Sequence, residues 1–247
     1  MIYKKFKILI IVQARMDSSR LPGKVLYNFF GSPVILNIIK NIKKKKFKHK
    51  LIVATTKKKS DDKLVNVLRK NNINFFRGSS RNLIKRFFLC AEKYKKKKII
   101  KDFIVVRICA DTMFVNSEMI KKSLNLINKK TDLVTYPKNM LNGFNSDCFW
   151  FSTLKKLNKI VKKKDELEHL NLHILRNSKK FKVKFLNYFP KKFKFNKNKV
   201  WITLDNEKNL TFIKKIEKIM INNQIKNLNY IQMISFLNKH AKTLGID

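Results

Sequence analysis

The chain has 247 residues, 44% of them hydrophobic and 30% charged, so it has enough apolar content to bury a core and is not a disordered polyelectrolyte. Its net charge of +42 would suit a polyanion partner such as nucleic acid. Composition offers a plainer source. Lys, Asn, Ile and Phe, all with A/T-rich codons, abound, while Gly and Pro number 5 and 4 and arginine supplies only eight of the 58 cationic residues. We therefore take the charge as compositional and disfavour a nucleic-acid partner. No run reaches the roughly 18 apolar residues a membrane helix needs, and no membrane partner is expected. The early run ILIIV is too short for a secretory leader and is followed at once by Gln13 and Arg15. Cys90, Cys109 and Cys148 are odd in number and form no CxxC pair, as expected of reduced, buried thiols in a cytoplasmic protein.

In chain order, KILIIV (Lys7 to Val12) predicts a buried strand and Ser32 to Ile42 a helix, with Ser32 as its cap and Pro33 at its first position. Lys50 to Thr56 predicts a second strand, and Ser60 to Asn71 a helix with acids at its start. INFFRG is a short strand ending at Gly78, followed by the helix RNLIKRFFLCAEKY. Asp102 to Asp111 is an apolar strand ending on an acid, and SEMIKKSLNLI is a helix. Beyond Asp132, DLVTYP and DCFWFS predict strands around the turn Asn142 to Asn145, with CFWF taken as core. Then come a helix, a second helix over DELEHLNLHILRN, strands over KVKFLNYF and Lys199 to Asp205, and two closing helices. Lys191 to Lys199 predicts an exposed loop, and the lysine runs at 43–46, 95–98 and 162–164 are assigned to helix C-termini. The first half is βαβαβαβα, which predicts an α/β fold: a mostly parallel central sheet with helices on both faces.

Ligands of such sheets bind beyond the carboxyl ends of the strands. After the first strand, QARMDSSRLPGK offers Arg15, Arg20 and Lys24 as charge, Ser18 and Ser19 as hydroxyls, and Pro22-Gly23 as a turn. A basic loop at this place can hold phosphate through side chains and backbone N–H groups. An ordinary basic loop is an equal alternative on chemistry alone. In a chain that uses lysine wherever lysine suffices, the arginines Arg15, Arg20, Arg77, Arg81, Arg86 and Arg107 point to sites needing the planar fork. Asp111 and Asp205 each end an apolar stretch and could converge as Mg²⁺ ligands, or serve as helix-start acids. His169 and His173, four apart, could share a helix face, but Leu170 stands where a zinc-protease motif needs Glu. One histidine near a polar cleft is the favoured reading.

Taken together, IIVQARMDSSRLPGKVL, LIVATT with the following DD, FFRGS, VVRICAD, NGFNSDCF, EHL and WITLDNEKNL resemble the cytidylyltransferases that activate sugar acids. The likeness is nearest to the spore coat polysaccharide biosynthesis protein F branch, with acylneuraminate and Kdo cytidylyltransferases more distant. The resemblance implies a nucleotide-sugar transferase (Rossmann-like) fold as a single domain over 1–247, with a nucleotide-binding half at 1–130 and a sugar-side and dimerisation half at 131–205. It implies transfer of CMP from CTP to a sugar acid with release of pyrophosphate, Mg²⁺ as cofactor, and a possible homodimer. It implies that Gln13, Ala14, Arg15, Ser18, Ser19, Arg20 and Lys24 hold the nucleotide, with Arg77, Gly78 and Ser79 in a loop near it. Asp111 and Asp205 become metal ligands, Asp147 and His169 sugar-side residues, and Arg15, Lys24, Asp111 and Asp205 the catalytic set. Related sequences usually carry Gly and Pro where Ala110 and Met113 stand, acids where Asn116, Asn145 and Asn209 stand, and a small residue in place of Asp17. The charge of Asp17 requires it to point away from bound phosphates.

Overall fold

The computed structural model describes residues 2–44, 48–96, 101–188 and 193–247. In chain order the elements are β1 (Ile8–Gln13), a small hairpin of β2 (Asn28–Phe29) and β3 (Ser32–Pro33), α1 (Val34–Lys43), β4 (Lys50–Thr56), α2 (Asp62–Lys70), β5 (Phe75–Gly78), α3 (Leu83–Lys96), β6 (Ile104–Cys109) and α4 (Ser117–Leu126). They continue with β7 (Leu133–Thr135), β8 (Asp147–Trp150), α5 (Phe151–Ile160), α6 (Lys164–Glu168), α7 (Leu172–Arg176), β9 (Val183–Phe185), α8 (Glu207–Asn222), α9 (Tyr230–Lys239) and α10 (Ala241–Leu244).

Strand β1 is apolar on both faces because both faces are covered. Ile8, Ile10 and Val12 enter one core with α1, α2, α4, α8 and α9. Leu9 and Ile11 enter a second core with α3, α5 and residues Leu170 and Ile174. Each fully buried aliphatic side chain of this kind contributes about 1.5–3 kcal/mol. In the second core the rings of Phe103 and Phe151 stack at 4.9 Å, and those of Phe88 and Phe151 at 5.9 Å. They tie α3, the start of β6 and α5 together. The seven strands run in the order β5-β4-β1-β6-β8-β7-β9. β5, β4, β1 and β6 are parallel, β8 is antiparallel to β6 and β7, and β7 and β9 are parallel. From β1 the chain goes to β4 and β5 on one side, then returns to β6 on the other. The strand order therefore switches between β1 and β6, where open α/β sheets form their ligand crevice. Among the described residues no helix is long and apolar enough to cross a membrane.

The mostly parallel α/β sheet with helices on both faces follows the sequence-based expectation, and Cys148 to Phe151 is core as expected. Several elements differ. The stretch 199–205 is not a strand. Apart from a short helical turn at Lys197–Lys199 it is irregular, and Leu204 N–H bonds the carbonyl of Asp111 across the strand ends instead of joining a ladder. DELEHLNLHILRN is two short helices, because His169 is extended (φ −123°, ψ 94°) and ends α6. That break removes the shared helix face of His169 and His173. Ser32 does not cap α1. It pairs with Phe29 in the hairpin, and Pro33 takes the cap position. Phe151 opens α5 instead of extending β8. Lys162 and Lys163 precede α6, and Lys164 begins it. Residues 45–46, 97–98 and 191–192 of the lysine-rich runs, and Phe189 of the last predicted strand but one, lie outside the described residues.

Candidate active site

The loop after β1 is a closed ring. Gly23 N–H donates to the carbonyl of Met16 at 2.7 Å, and Gly23 adopts φ 73°, a left-handed conformation that glycine takes without strain. Leu21 anchors the ring with no exposed surface. Its base is fixed by a buried acid, Asp61, whose Oδ1 accepts from Met16 N–H at 2.7 Å. The other oxygen accepts from the Thr55 hydroxyl, the Thr56 N–H and the Thr56 hydroxyl. Burial works to raise the Asp61 pKa, but these hydrogen bonds to the charged form outweigh it and the net shift is downward. The ring turns Arg15, Ser18, Ser19, Arg20 and Lys24 into a cleft of about 350 Å³ at the carboxyl ends of β1 and β6.

At one end of the cleft two acids converge. Asp111 follows β6, and Asp205 lies in the irregular segment before α8. Lys24 Nζ reaches Asp111 Oδ2 at 3.2 Å and Asp205 Oδ1 at 3.3 Å, and Arg20 Nη2 reaches Asp205 Oδ1 at 3.4 Å. Thr203 donates its hydroxyl to Asp205 Oδ2. The two loops are stitched by the bond from Leu204 to Asp111 and by the turn at Gly143, whose carbonyl accepts from Phe114 N–H. Gly143 has φ 100°, and a Cβ there would sit 2.6 Å from the carbonyl oxygen of Ile202. Only glycine lets this turn press the 202 segment toward Asp111.

Ser80, Arg81 and Arg86 also line the cleft, and Arg86 lies near enough to Arg15 to feel its charge. Arg86 is 4% exposed. It donates to the carbonyl of Ser79, and its Nε has no partner. Burial and the nearby Arg15 pull its pKa down to about 10, so it stays charged at neutral pH. Gly78 makes room for it, since a Cβ there would lie 2.8 Å from Arg86 Cγ. Gln13, Arg107, Cys109, Glu168 and His169 line the cleft as well. Burial raises the Cys109 thiol to about 12, which leaves it protonated and a poor nucleophile at neutral pH.

A family model described as Cytidylyltransferase matches residues 9–243. The chain belongs to the cytidylyltransferase family. It is 30% identical over 241 residues to an uncharacterized protein of Methanocaldococcus jannaschii, covering 98% of this chain and 94% of that one. It is 27% identical over 214 residues to the spore coat polysaccharide biosynthesis protein SpsF of Bacillus subtilis, covering 85% of each. A solved cytidylyltransferase from Leptospira borgpetersenii superposes with a TM-score of 0.83 at 25% identity, covering 97% of both chains.

In this cytidylyltransferase the cleft gathers Gln13, Ala14, Arg15, Ser18, Ser19, Arg20, Lys24, Asp111, His169 and Asp205 of the residues expected from the sequence. Four others lie outside its lining. Arg77 bonds the carbonyls of Thr56 and Lys58 and the carboxylate of Asp62, bracing β5 against the start of α2. Gly78 backs Arg86, and the Ser79 hydroxyl accepts from Asn82 N–H. Asp147 is 6% exposed and paired with Arg107. His173 bonds Glu166 at 2.7 Å, away from His169. Lys58 holds Asp17 Oδ2 at 2.5 Å and Asp17 is not among the lining residues, while its Oδ1 is buried without a partner among the described residues. Asn116 caps α4 through Glu118 and Met119 N–H, a task an amide does as well as an acid. Sequence motifs did not single out Asp61, Ser80, Arg81, Arg86 or Arg107 as site residues. The scarcity of arginine was the signal for the last three.

Proposed function

We propose that this enzyme transfers the cytidylyl group of CTP to a sugar acid for the synthesis of a surface polysaccharide. The observation carrying this is the convergence of Asp111 and Asp205 on Lys24 in a cleft also lined by Arg15, Arg20, Arg81 and Arg86. The family supports the nucleotide, and the spore coat relative supports the polysaccharide setting. The two carboxylates reach one ammonium group, and no third His, Cys, Asp or Glu joins them among the described residues. That donor set fits Mg²⁺, which is commonly held by one or two carboxylates plus phosphate oxygens. Asp111 and Asp205 would hold it, and it would draw charge from the triphosphate and orient it.

The chain's own groups do the rest. Arg15, Arg20, Ser18 and Ser19 grip the phosphates, and Lys24 neutralises the departing pyrophosphate. The sugar hydroxyl oxygen bonds the α-phosphorus, the bond from that phosphorus to the pyrophosphate oxygen breaks, and the hydroxyl proton passes to water. Such chemistry depends on in-line positioning and charge stabilisation, without a covalent enzyme intermediate. The test is a thermal shift with CTP and Mg²⁺ against the other nucleoside triphosphates, repeated with Asp111→Ala, followed by pyrophosphate release with a panel of sugar acids. A shift specific to CTP and dependent on Asp111, with release for one acid, is expected. Equal shifts for all triphosphates and for DNA, abolished by salt, would mean electrostatics alone.

A further inference from the structure

The cleft lining contains a fixed arginine that the proposed phosphate chemistry leaves unused. Arg107 lies within β6, its side chain 12% exposed, and borders the cleft. Its strand partner on β8 is Asp147, directly opposite in register. Arg107 Nη1 donates to Asp147 Oδ2 at 2.7 Å, and Nε donates to Gln13 Oε1 at 2.9 Å. Asp147 is itself held by the Thr135 hydroxyl at 2.6 Å and by Asn171 Nδ2 at 3.3 Å. The chain Thr135–Asp147–Arg107–Gln13 thus crosses β7, β8, β6 and β1. Two guanidinium nitrogens are pinned on rigid strands, which fixes the plane of the group. Among the described residues the third, Nη2, has no hydrogen-bond partner. Burying a guanidinium opposes its charge, but the neighbouring Asp147 and Asp111 carboxylates favour it, and its pKa lies above the ordinary arginine value. A charged, oriented fork with donors left for the cleft is suited to a carboxylate. It shares the cleft lining with Gln13, Cys109 and His169, and it makes no contact with Lys24, Asp111 or Asp205 among the hydrogen bonds and ion pairs of the described residues.

We infer that Arg107 is the residue that recognises the acid group of the acceptor, and that Asp147 and Gln13 are positioning residues that hold its fork toward the cleft. This rests on the sugar-acid reading above and names the group that reads the acid. It also gives Asp147 a sugar-side role without contact, through Arg107.

The experiment separates binding from turnover. N-acetylneuraminate, 3-deoxy-manno-octulosonate and their neutral methyl esters are titrated against the full chain loaded with Mg²⁺ and a non-transferable CTP analogue. At least one acid is expected to bind tenfold or more tighter than its ester. Arg107→Lys should remove that discrimination and leave the analogue's Kd within twofold. Asp147→Asn should reduce the discrimination by a smaller factor, an effect that a merely structural role would not produce. Because Arg107→Lys leaves Asp147 poorly paired, the double variant Arg107→Gln/Asp147→Asn replaces the ion pair by a neutral hydrogen bond and should keep the fold, as checked by Tm. It too should bind acid and ester alike. Equal binding of acids and esters by the wild type, no binding of either acid, retained discrimination in the variants, or equal loss of analogue and acid binding would each overturn the inference. Arg107-dependent acid binding with no pyrophosphate release would uphold it while overturning the catalytic reading.

Discussion

The two flanks of the cleft are built by opposite means. On one flank, the loop from Gln13 to Lys24 closes on itself through Gly23 and Met16, and one buried acid, Asp61, fixes its base. On the other flank, His169 and Asn171 sit in a break between two five-residue helices. Arg107 takes its aim there from residues on three other strands. The first flank closes within one loop and takes a single long-range support, from Asp61 at the start of α2. The second is assembled from positions 13, 107, 135, 147 and 171 and exists only once the sheet has formed. A site made by local closure tolerates change elsewhere, whereas a site made by cross-strand pairing is exposed to any change in register.

The largest expected effect tests the junction of the two flanks. Asp205→Ala and Asp111→Ala should each lower pyrophosphate release by about 10³-fold, in line with loss of one preorganised charge at a phosphoryl centre, and abolish the CTP–Mg²⁺ thermal shift. A loss under tenfold would remove these acids from the catalytic set. Next comes Gly143→Ala, which must accommodate φ 100° and a Cβ 2.6 Å from the Ile202 carbonyl oxygen. Denaturant titration should show a loss of about 2–3 kcal/mol, with reduced activity because the Asp205 segment shifts.

Asp61→Asn probes the local flank. An amide in place of the carboxylate leaves buried donors poorly met, at a cost of about 1–3 kcal/mol. The pH dependence has a defined sign. The folded pKa of Asp61 lies below the ordinary 3.8, so its contribution is complete above that value and is lost as the pH falls through the lower folded value. The wild type should lose stability relative to Asp61→Asn over that window. A parallel pH profile for the two proteins would show that Asp61 does not carry the loop. The smallest effect is that of Lys58→Ala. The pair with Asp17 is exposed on the lysine side, and its loss should change stability by less than about 0.5 kcal/mol. CTP affinity should fall a few-fold as Asp17 is released beside the phosphates, and unchanged affinity would mean that Asp17 is held away by the ring itself.

The contrast between the flanks also explains what could be read from the chain. Strands β1, β4 and β6 were legible because both their faces are apolar, and the loop QARMDSSRLPGK because turn, charge and hydroxyls adjoin. The segment 199–205 misled because apolar residues packed under a crossing loop look like a strand, and periodicity cannot tell a ladder from a lid of backbone across strand ends. The helix break at His169 was hidden for a similar reason. Leu167, Leu170 and Ile174 keep a helical spacing across the break at His169, since all three pack in the second core.

By itself, then, the sequence determined the parallel half of the sheet, the basic loop after β1 and the acids Asp111 and Asp205 that follow apolar stretches, because each is encoded by neighbours along the chain. Only the tertiary structure decided that Asp111 and Asp205 meet at Lys24, that Arg77 and Asp147 brace the site from outside its lining, and that Arg107 faces the cleft. Those outcomes depend on strand order, on register and on a glycine turn pressed against a distant carbonyl, which are properties of packing that no local pattern of residues carries.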